Sequence, residues 1–397
     1  AMDLGIYLAR SPVAQVEAPI EGEHTCFVDA AGAAFCFGDN GNGQLGDNSY
    51  SDRGTPVPVV GLSSNVSKVT TGHWHTCALL DNGSVMCWGK AINGMIGDGS
   101  TSVDKLVPQW TQSFGSGRYA TDISAGAEHT CAILDDGTVM CWGFGGDGRL
   151  GTGSSVSRSI PTATSSLGSG KTAVGIALGE RHSCVLLNDG TVKCWGLNNL
   201  GQVGTGQTVT YYLNPTSVSS FSGGRSAVQL VAGYAHNCAI LDDGNTSCWG
   251  YNSAGQLGSG STASYIRTPT YVSMSNINGT FRSLSAGYQT TCGVLTSSEP
   301  VCWGWNSKNV VGDGTSTNRN TPVYVTNLTK GDAAVNISTS EMHTCASFTD
   351  GSLRCWGDNG EEKLGIAFVD YSSLDEPSGR PIGALSVPVE TEVVEGI

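Results

Sequence analysis

Fourteen cysteines constrain this chain more than any other feature, because they fall into seven pairs of identical internal spacing. The pairs are Cys26 and Cys36, Cys77 and Cys87, Cys131 and Cys141, Cys184 and Cys194, Cys238 and Cys248, Cys292 and Cys302, and Cys345 and Cys355. Nine residues intervene in each. The first members are separated by 51, 54, 53, 54, 54 and 53 residues. A period near 50 residues is the mark of a repeat architecture, so the 397 residues are read as one array, a single domain over 1–397, not as two or three unrelated domains.

The surroundings of each pair repeat as well. His75-Thr76-Cys77-Ala78-Leu79-Leu80-Asp81-Asn82-Gly83-Ser84-Val85-Met86-Cys87-Trp88-Gly89 recurs as His129 to Gly143, His182 to Gly196, His236 to Gly250 and His343 to Gly357. The first copy has Phe37 in place of tryptophan, and the sixth has Thr290 in place of histidine. Two apolar runs around Asp-Asn-Gly, Asp-Asp-Gly or Asn-Asp-Gly predict a β-hairpin. With Gly83 closing a three-residue turn in the left-handed region, Cys77 falls opposite Cys87, Ala78 opposite Met86 and Leu79 opposite Val85. Opposed residues have Cβ atoms about 4.5–5.5 Å apart, close enough to bridge after modest adjustment. One disulfide inside each repeat is therefore expected. Zinc, the competing reading, wants closely spaced C-x2–4-C knuckles, and the sequence has none. Disulfides persist outside the cytosol, so the expected location is secreted, cell-surface or periplasmic.

After each Trp-Gly, or Phe-Gly in the first unit, comes a glycine-rich turn, such as Gly43-Gln44-Leu45-Gly46 or Gly255-Gln256-Leu257-Gly258. A strand opened by Thr55-Pro56, Thr268-Pro269 or Thr321-Pro322 follows, and a further strand leads into the next hairpin. Four strands per unit are the content of one propeller blade. Composition agrees: 14% charged residues and 56 glycines suit short strands and tight turns, not long charged helices. Both terminal runs, Ser11 to Gly22 and Arg380 to Gly396, read as linker strands expected to meet in the last blade. Ala1-Met2 reads as a cloning remnant ahead of a mature, leader-free chain.

These residues resemble the regulator-of-chromosome-condensation repeat family, whose pattern G-x-x-H-T-x-A-L, D/N-G, W-G-x-N-x-x-G-Q-L-G runs through roughly residues 20 to 366. The resemblance implies an all-β fold: a seven-bladed β-propeller of four-stranded antiparallel blades around a channel, here with one intra-blade disulfide per blade. The paired cysteines and the acidity depart from the nuclear members. Those departures speak against nucleotide exchange on a small GTPase and docking on chromatin, and the chain looks more like exported versions of the repeat.

Candidate chemistry is sparse. His24, His75, His129, His182, His236 and His343 occupy one repeated position and so ring the fold instead of converging. The resemblance makes them framework residues, and the Trp-Gly tryptophans read as packing between blades. Gly145-Gly146-Asp147-Gly148 lacks the lysine and helix of a phosphate loop. Asp39-Asn40-Gly41-Asn42-Gly43 lacks the distal glutamate of a calcium loop. No G-x-S-x-G elbow stands in a strand-to-helix setting. No cofactor, metal or catalytic residue is assigned. A net charge of −14 with only 20 basic residues argues against nucleic acid and anionic membranes, and no apolar run approaches a membrane span.

Function is therefore sought where the repeat varies: the two residues between the glycine and the histidine, and the residue after Trp-Gly. The former are His73 and Trp74, Ala127 and Glu128, Glu180 and Arg181, Tyr234 and Ala235, Tyr288 and Gln289, Glu341 and Met342. The latter are Lys90, Phe144, Leu197, Tyr251, Trp305 and Asp358. Trp74, Phe144, Arg181, Tyr234, Tyr251, Tyr288 and Trp305 are the expected binding surface, heaviest on the fourth to sixth repeats; the bland alternative is that the rings plug the channel mouth. The expectation is a monomeric binding module for a protein or glycan at a cell surface. The alternatives are a hydrolase using Glu128, Glu180, Arg181 and Glu341 at the channel mouth, or an inhibitor of a secreted enzyme. Mass spectrometry of the intact, non-reduced chain should show fourteen fewer hydrogens than the all-thiol form, with each bridge inside its own repeat; free thiols or cross-repeat bridges would overturn the pairing.

Overall fold

The hairpin register follows from the turn. Gly83 has φ +77°, its N–H donates to the Leu80 carbonyl, and the strands His75–Leu80 and Val85–Gly89 pair Cys77 with Cys87, Ala78 with Met86 and Leu79 with Val85. The same register recurs in all seven repeats. Every expected cysteine pair is a disulfide within its own blade. Cys26 is bonded to Cys36, Cys77 to Cys87, Cys131 to Cys141 and Cys184 to Cys194. Cys238 is bonded to Cys248, Cys292 to Cys302 and Cys345 to Cys355. Their Cα atoms are 4.0–4.1 Å apart, each pair sitting directly across the hairpin. A computed structural model describes residues 7–8, 12–326, 333–360, 364 and 385–390. The readings of Ala1-Met2 and of Arg380-Pro381-Ile382 lie outside those residues.

Seven antiparallel sheets form the blades of a β-propeller. The second blade is typical: Val66–Thr71 innermost, the hairpin His75–Leu80 and Val85–Gly89, then Lys105–Trp110 outermost. Innermost strands of the seven blades line a channel. The outermost strands carry Pro56, Pro108, Pro161, Pro215, Pro269 and Pro322. Each proline falls beside a bulge, as where Cys87 faces Gln109 and Gly89 faces Lys105. A proline cannot donate to a ladder and a bulge bends the strand, so the exposed edges resist pairing with another chain. In the last blade, Tyr7–Leu8 and Leu385–Glu390 both pair with Ser352–Gly357. The run from Ser11 to Gly22, expected there, instead supplies Val13–Glu17 as the innermost strand of the first blade, because it leads directly into that blade's own hairpin.

Cores lie between neighbouring blades. The Cys26–Cys36 bridge packs with Trp88 of the next blade, Cys77–Cys87 with Trp142, Cys131–Cys141 with Trp195, and Cys184–Cys194 with Trp249. Cys238–Cys248 meets Trp303 and Cys292–Cys302 meets Trp356. At ring closure the Cys345–Cys355 bridge meets Phe37 instead. Polar clips accompany this packing. Trp88 Nε1 and Thr76 Oγ1 both donate to the Gln44 carbonyl of the preceding blade, each at 2.8 Å, while His24 Nε2 meets Thr76 Oγ1 at 3.0 Å. His75 repeats the contact with Thr130, His129 with Ser183, His182 with Asn237, His236 with Thr291, and His343 with Thr25.

The sixth blade breaks two of these rules. Thr290 replaces the histidine and turns its hydroxyl to the Trp305 carbonyl, so the histidine contact to Thr344 of the seventh blade is missing, although Thr344 and Trp356 still donate to the Val310 carbonyl. Ser298 holds φ 75° where the other six hairpins have glycine, a conformation that costs a residue with a Cβ about 1 kcal/mol. Thr290→His, which can reach Thr344, and Ser298→Gly are each expected to stabilise the protein by about 1 kcal/mol, seen as higher urea midpoints at unchanged slope. Lower midpoints for both would refute this account of the ring.

Burial holds the framework histidines neutral: His24, His75 and His236 are pushed down to about 3 and His182 to about 4. Neutral in the folded state but protonated in the unfolded one, each contributes stability present above pH 6.5 and lost as pH falls toward its folded value. By linkage the loss is roughly 2 kcal/mol per histidine at pH 5. Two half-buried carboxyls, Glu17 at about 7 and Glu21 at about 8, act oppositely and stabilise as pH falls toward 4.5, but the histidines outnumber them. Urea midpoints are therefore expected to fall between pH 7 and pH 5; a flat profile across that window would show that the histidines are not held neutral.

Candidate functional site

The channel wall is built from alternate residues of the innermost strands. On one strand after another, a hydroxyl caps the next blade: Thr70 Oγ1 accepts from Ala125 N–H, Ser124 from Leu178, Ser285 from Thr339 and Ser338 from Ala18. Deeper positions face the lumen, a cavity of about 520 Å³ lined in part by Gln15, Glu17, Lys68, Asp122, Gln229 and Asn336. Lys68 Nζ and Asp122 Oδ1 form an ion pair at 2.7 Å, and the Gln15 amide grips both backbone groups of Val69. Burial raises the Glu17 carboxyl to about 7, against the pull of Lys68. The resemblance implied a channel, but no motif singled out these lining residues, which are scattered over the innermost strands of different blades.

Above the lumen the glycine–histidine loops join hand to hand. His73 N–H donates to the Ala127 carbonyl, Glu180 to Tyr234, Tyr234 to Gly287 and Tyr288 to Ser340. The first blade differs. Its Ala18 takes the place of Ala125, yet five residues separate Ala18 from His24 where three separate Ala125 from His129. The longer loop brings Ile20 onto the channel wall and Glu21 among the carboxylates of the mouth. Burial raises Glu21 to about 8, aided by Glu180, Glu341 and Glu128 and opposed by Arg181. Its Oε2 lies 3.8 Å from His73 Nδ1. Glu21 was missed in the sequence because only the length of its loop, not a motif, sets it apart.

Glu128, Glu180, Arg181 and Glu341 do converge at the mouth, as their shared effect on Glu21 requires. The seven candidate binding residues are all half-buried, and six of them fall into three groups. Tyr234 and Tyr288 pack with ring centroids 4.3 Å apart at 52°, and Tyr251 is near enough to act on the Tyr288 hydroxyl. Burial raises both Tyr234 and Tyr288, reinforced by Glu180 at the first and by Glu21 and Glu341 at the second. Trp74 stacks on His73 at 4.0 Å and carries the Lys90 ammonium 3.8 Å from its ring centre. Phe144 carries the Arg149 guanidinium at 4.8 Å, and Arg181 pairs with Asp147 at 2.5 Å. Trp305 stands apart: its backbone N–H donates to the Gln289 carbonyl, and among the described residues no ring contact joins it to Tyr288. More exposed aromatics lie on outermost strands, including Trp110, Tyr211, Tyr265 and Tyr271. Among the described residues no group of three His, Cys, Asp or Glu side chains is placed to hold a metal ion. Among the described residues no helix is long and apolar enough to cross a membrane.

Known proteins of the same build are numerous. The Arabidopsis thaliana ultraviolet-B receptor UVR8 is 31% identical over 375 residues, covering 94% of this chain and 82% of its own length. The human E3 ubiquitin-protein ligase HERC2 is 29% identical over 337 residues; this chain spans only 7% of it. Among solved structures, human WBSCR16 superposes with TM-score 0.75 at 20% identity, covering 84% of this chain and 90% of that one. Yeast RCC1 (Prp20) in complex with Kap60 gives 0.76 at 18% identity, covering 97% and 85%. The sequence pattern described as the Regulator of chromosome condensation (RCC1) repeat matches residues 31–79, 82–133, 136–186, 189–240, 243–294 and 302–347. With that pattern over most of its length and the propeller it describes, the chain belongs to the regulator of chromosome condensation repeat family.

Proposed function

We propose that the protein is an exported, monomeric recognition module that engages a partner protein through the face bearing the glycine–histidine loops. The observation that carries this reading is the division of labour within the repeat. Histidine, tryptophan and the threonine-like residue are consumed by contacts between blades, whereas the loop residues are half-buried around the channel mouth and belong to no framework contact of that kind. Loops on a rigid scaffold are where recognition concentrates, and aromatic side chains have few torsions to freeze on binding. Relatives agree in kind: one that this chain nearly spans is a receptor, and a solved neighbour is held in complex with another protein. The seven disulfides support export, since such bonds persist in oxidising compartments.

Affinity capture with the native protein and with single variants tests the face. Tyr288→Ala or Trp305→Ala should each cost roughly 2 kcal/mol or more of binding to a captured partner, with little change in unfolding midpoint. Trp303 is the internal control. It is fully buried and donates to the Gln256 carbonyl, so Trp303→Ala should lower stability by roughly 3–5 kcal/mol instead. Retention of the partner by both face variants would show that the binding surface lies elsewhere, the exposed outer strands being the next to try.

A further inference from the structure

Three aromatic groups stand on the proposed binding face, and two already hold a cation of this chain. Lys90 sits over Trp74 and Arg149 over Phe144. The third, the Tyr234–Tyr288 pair, has no lysine or arginine of the described residues over it, although carboxylates surround it. Glu180 and Glu21 act on Tyr234, and Glu21 and Glu341 on Tyr288. The arginines at hand are already engaged: Arg181 with Asp147, and Arg149 with Phe144, Asp147 and the Glu180 carbonyl. Below the pair the channel opens into about 520 Å³, its wall including the apolar side chains Ile20, Leu178 and Ala232.

We propose that the channel mouth at Tyr234, Tyr288, Glu21 and Glu180 receives an arginine or lysine side chain from a basic segment of the partner protein. The inference rests on the reading of this face as the protein-binding face and specifies the chemistry of its partner. A cation there gains the ring faces of the tyrosines and, displacing the proton from Glu21, charge-assisted hydrogen bonds to the carboxylates. Its aliphatic stem lies along the apolar wall of the channel. The net charge of −14 steers a basic segment toward the protein and repels acidic ones.

The probe is a fluorescent peptide of alternating arginine and glycine, compared by anisotropy with a copy carrying uncharged citrulline for arginine. Saturable one-to-one binding of the arginine peptide alone is expected at physiological salt. Tyr234→Ala with Tyr288→Ala, and separately Glu21→Gln with Glu180→Gln, should each weaken it roughly tenfold or more. Tyr234→Phe with Tyr288→Phe keeps the ring faces and should stay within about threefold of wild type, which separates lost recognition from lost folding. Asp81→Asn with Asp242→Asn removes two carboxylates from the hairpin turns at the opposite end of the blades, at least as much charge as the mouth pair loses, and should leave binding unchanged. Equal weakening by that control pair, or none by the tyrosine pair, would falsify the proposal by reducing the effect to bulk charge. If a captured partner is lost by Tyr288→Ala but is not displaced by the arginine peptide, the face stands and the cationic partner falls. If no mouth substitution affects the partner, both readings fall.

Discussion

At six junctions between neighbouring blades one backbone carbonyl holds the pair together. In the first pair it belongs to Gln44, which accepts from the Trp88 indole and the Thr76 hydroxyl of the next blade. Because the Thr76 proton is spent on that carbonyl, its oxygen can only accept from His24, so His24 must carry its proton on Nε2. Asn237 fixes the same state in another way: its amide N–H₂ donates to the Gln202 carbonyl, leaving Oδ1 to face His182 Nε2. The bare Nδ1 atoms of His24, His75, His129, His182 and His236 are then buried without partners. The glycine three residues before most of the histidines has a reason too. A Cβ on Gly72 would lie 2.2 Å from His75 Cε1, so the ring occupies the space a side chain would need. In the last blade Ser340 stands at that position instead, and its hydroxyl bonds His343 Nδ1.

This network decides what remains free to vary. The disulfides pin the two middle strands of each blade and pack against the next blade's tryptophan, so covalent and apolar constraints act at the same seam. Loops emerging from such a ring are held at fixed separations around the channel. Residues far apart in sequence, such as Glu21 and Glu341, thereby become electrostatic neighbours.

The sequence was most informative wherever a property is local or periodic. Cysteine spacing, the Asp-Asn-Gly turn and the position of Gly83 sufficed to place Cys77 opposite Cys87, because a hairpin register depends only on its own turn. The same turn logic carried to Cys36, Cys194 and Cys302, each of which lies opposite its partner ten residues earlier. The four-strand unit followed from the same periodicity. The mouth was only partly legible. Tyr234 and Tyr288 could be placed on adjacent blades by counting repeats, and they do touch. Trp305, chosen by the same logic, does not join them, because the residue after Trp-Gly and the loop before the histidine need not aim alike. Glu21 escaped because an insertion shifts it out of the repeat pattern. The Lys68–Asp122 pair escaped because each partner is an ordinary polar residue on its own strand, and only the closed ring brings the two together.

A ring of seven equivalent units has no preferred side, so its specificity must come from departures that the framework tolerates. The framework tolerates them where it uses backbone atoms. At the clip only the carbonyl is required, and the residue supplying it is Gln44, Met95, Arg149, Gln202, Gln256 or Val310 from blade to blade. Three are glutamines, and Gln44 folds back to bond within its own turn. Arg149 keeps the clip, accepting from Trp195 and Ser183 through its carbonyl, while its side chain crosses Phe144 and reaches the Glu180 carbonyl at the mouth. One residue thus serves the ring through its backbone and the face through its side chain. The clip leaves side chains such as this one, and those of the glycine–histidine loops, free to differ from blade to blade. The same carbonyl that makes the blades alike is what lets this face of the ring become chemically unequal.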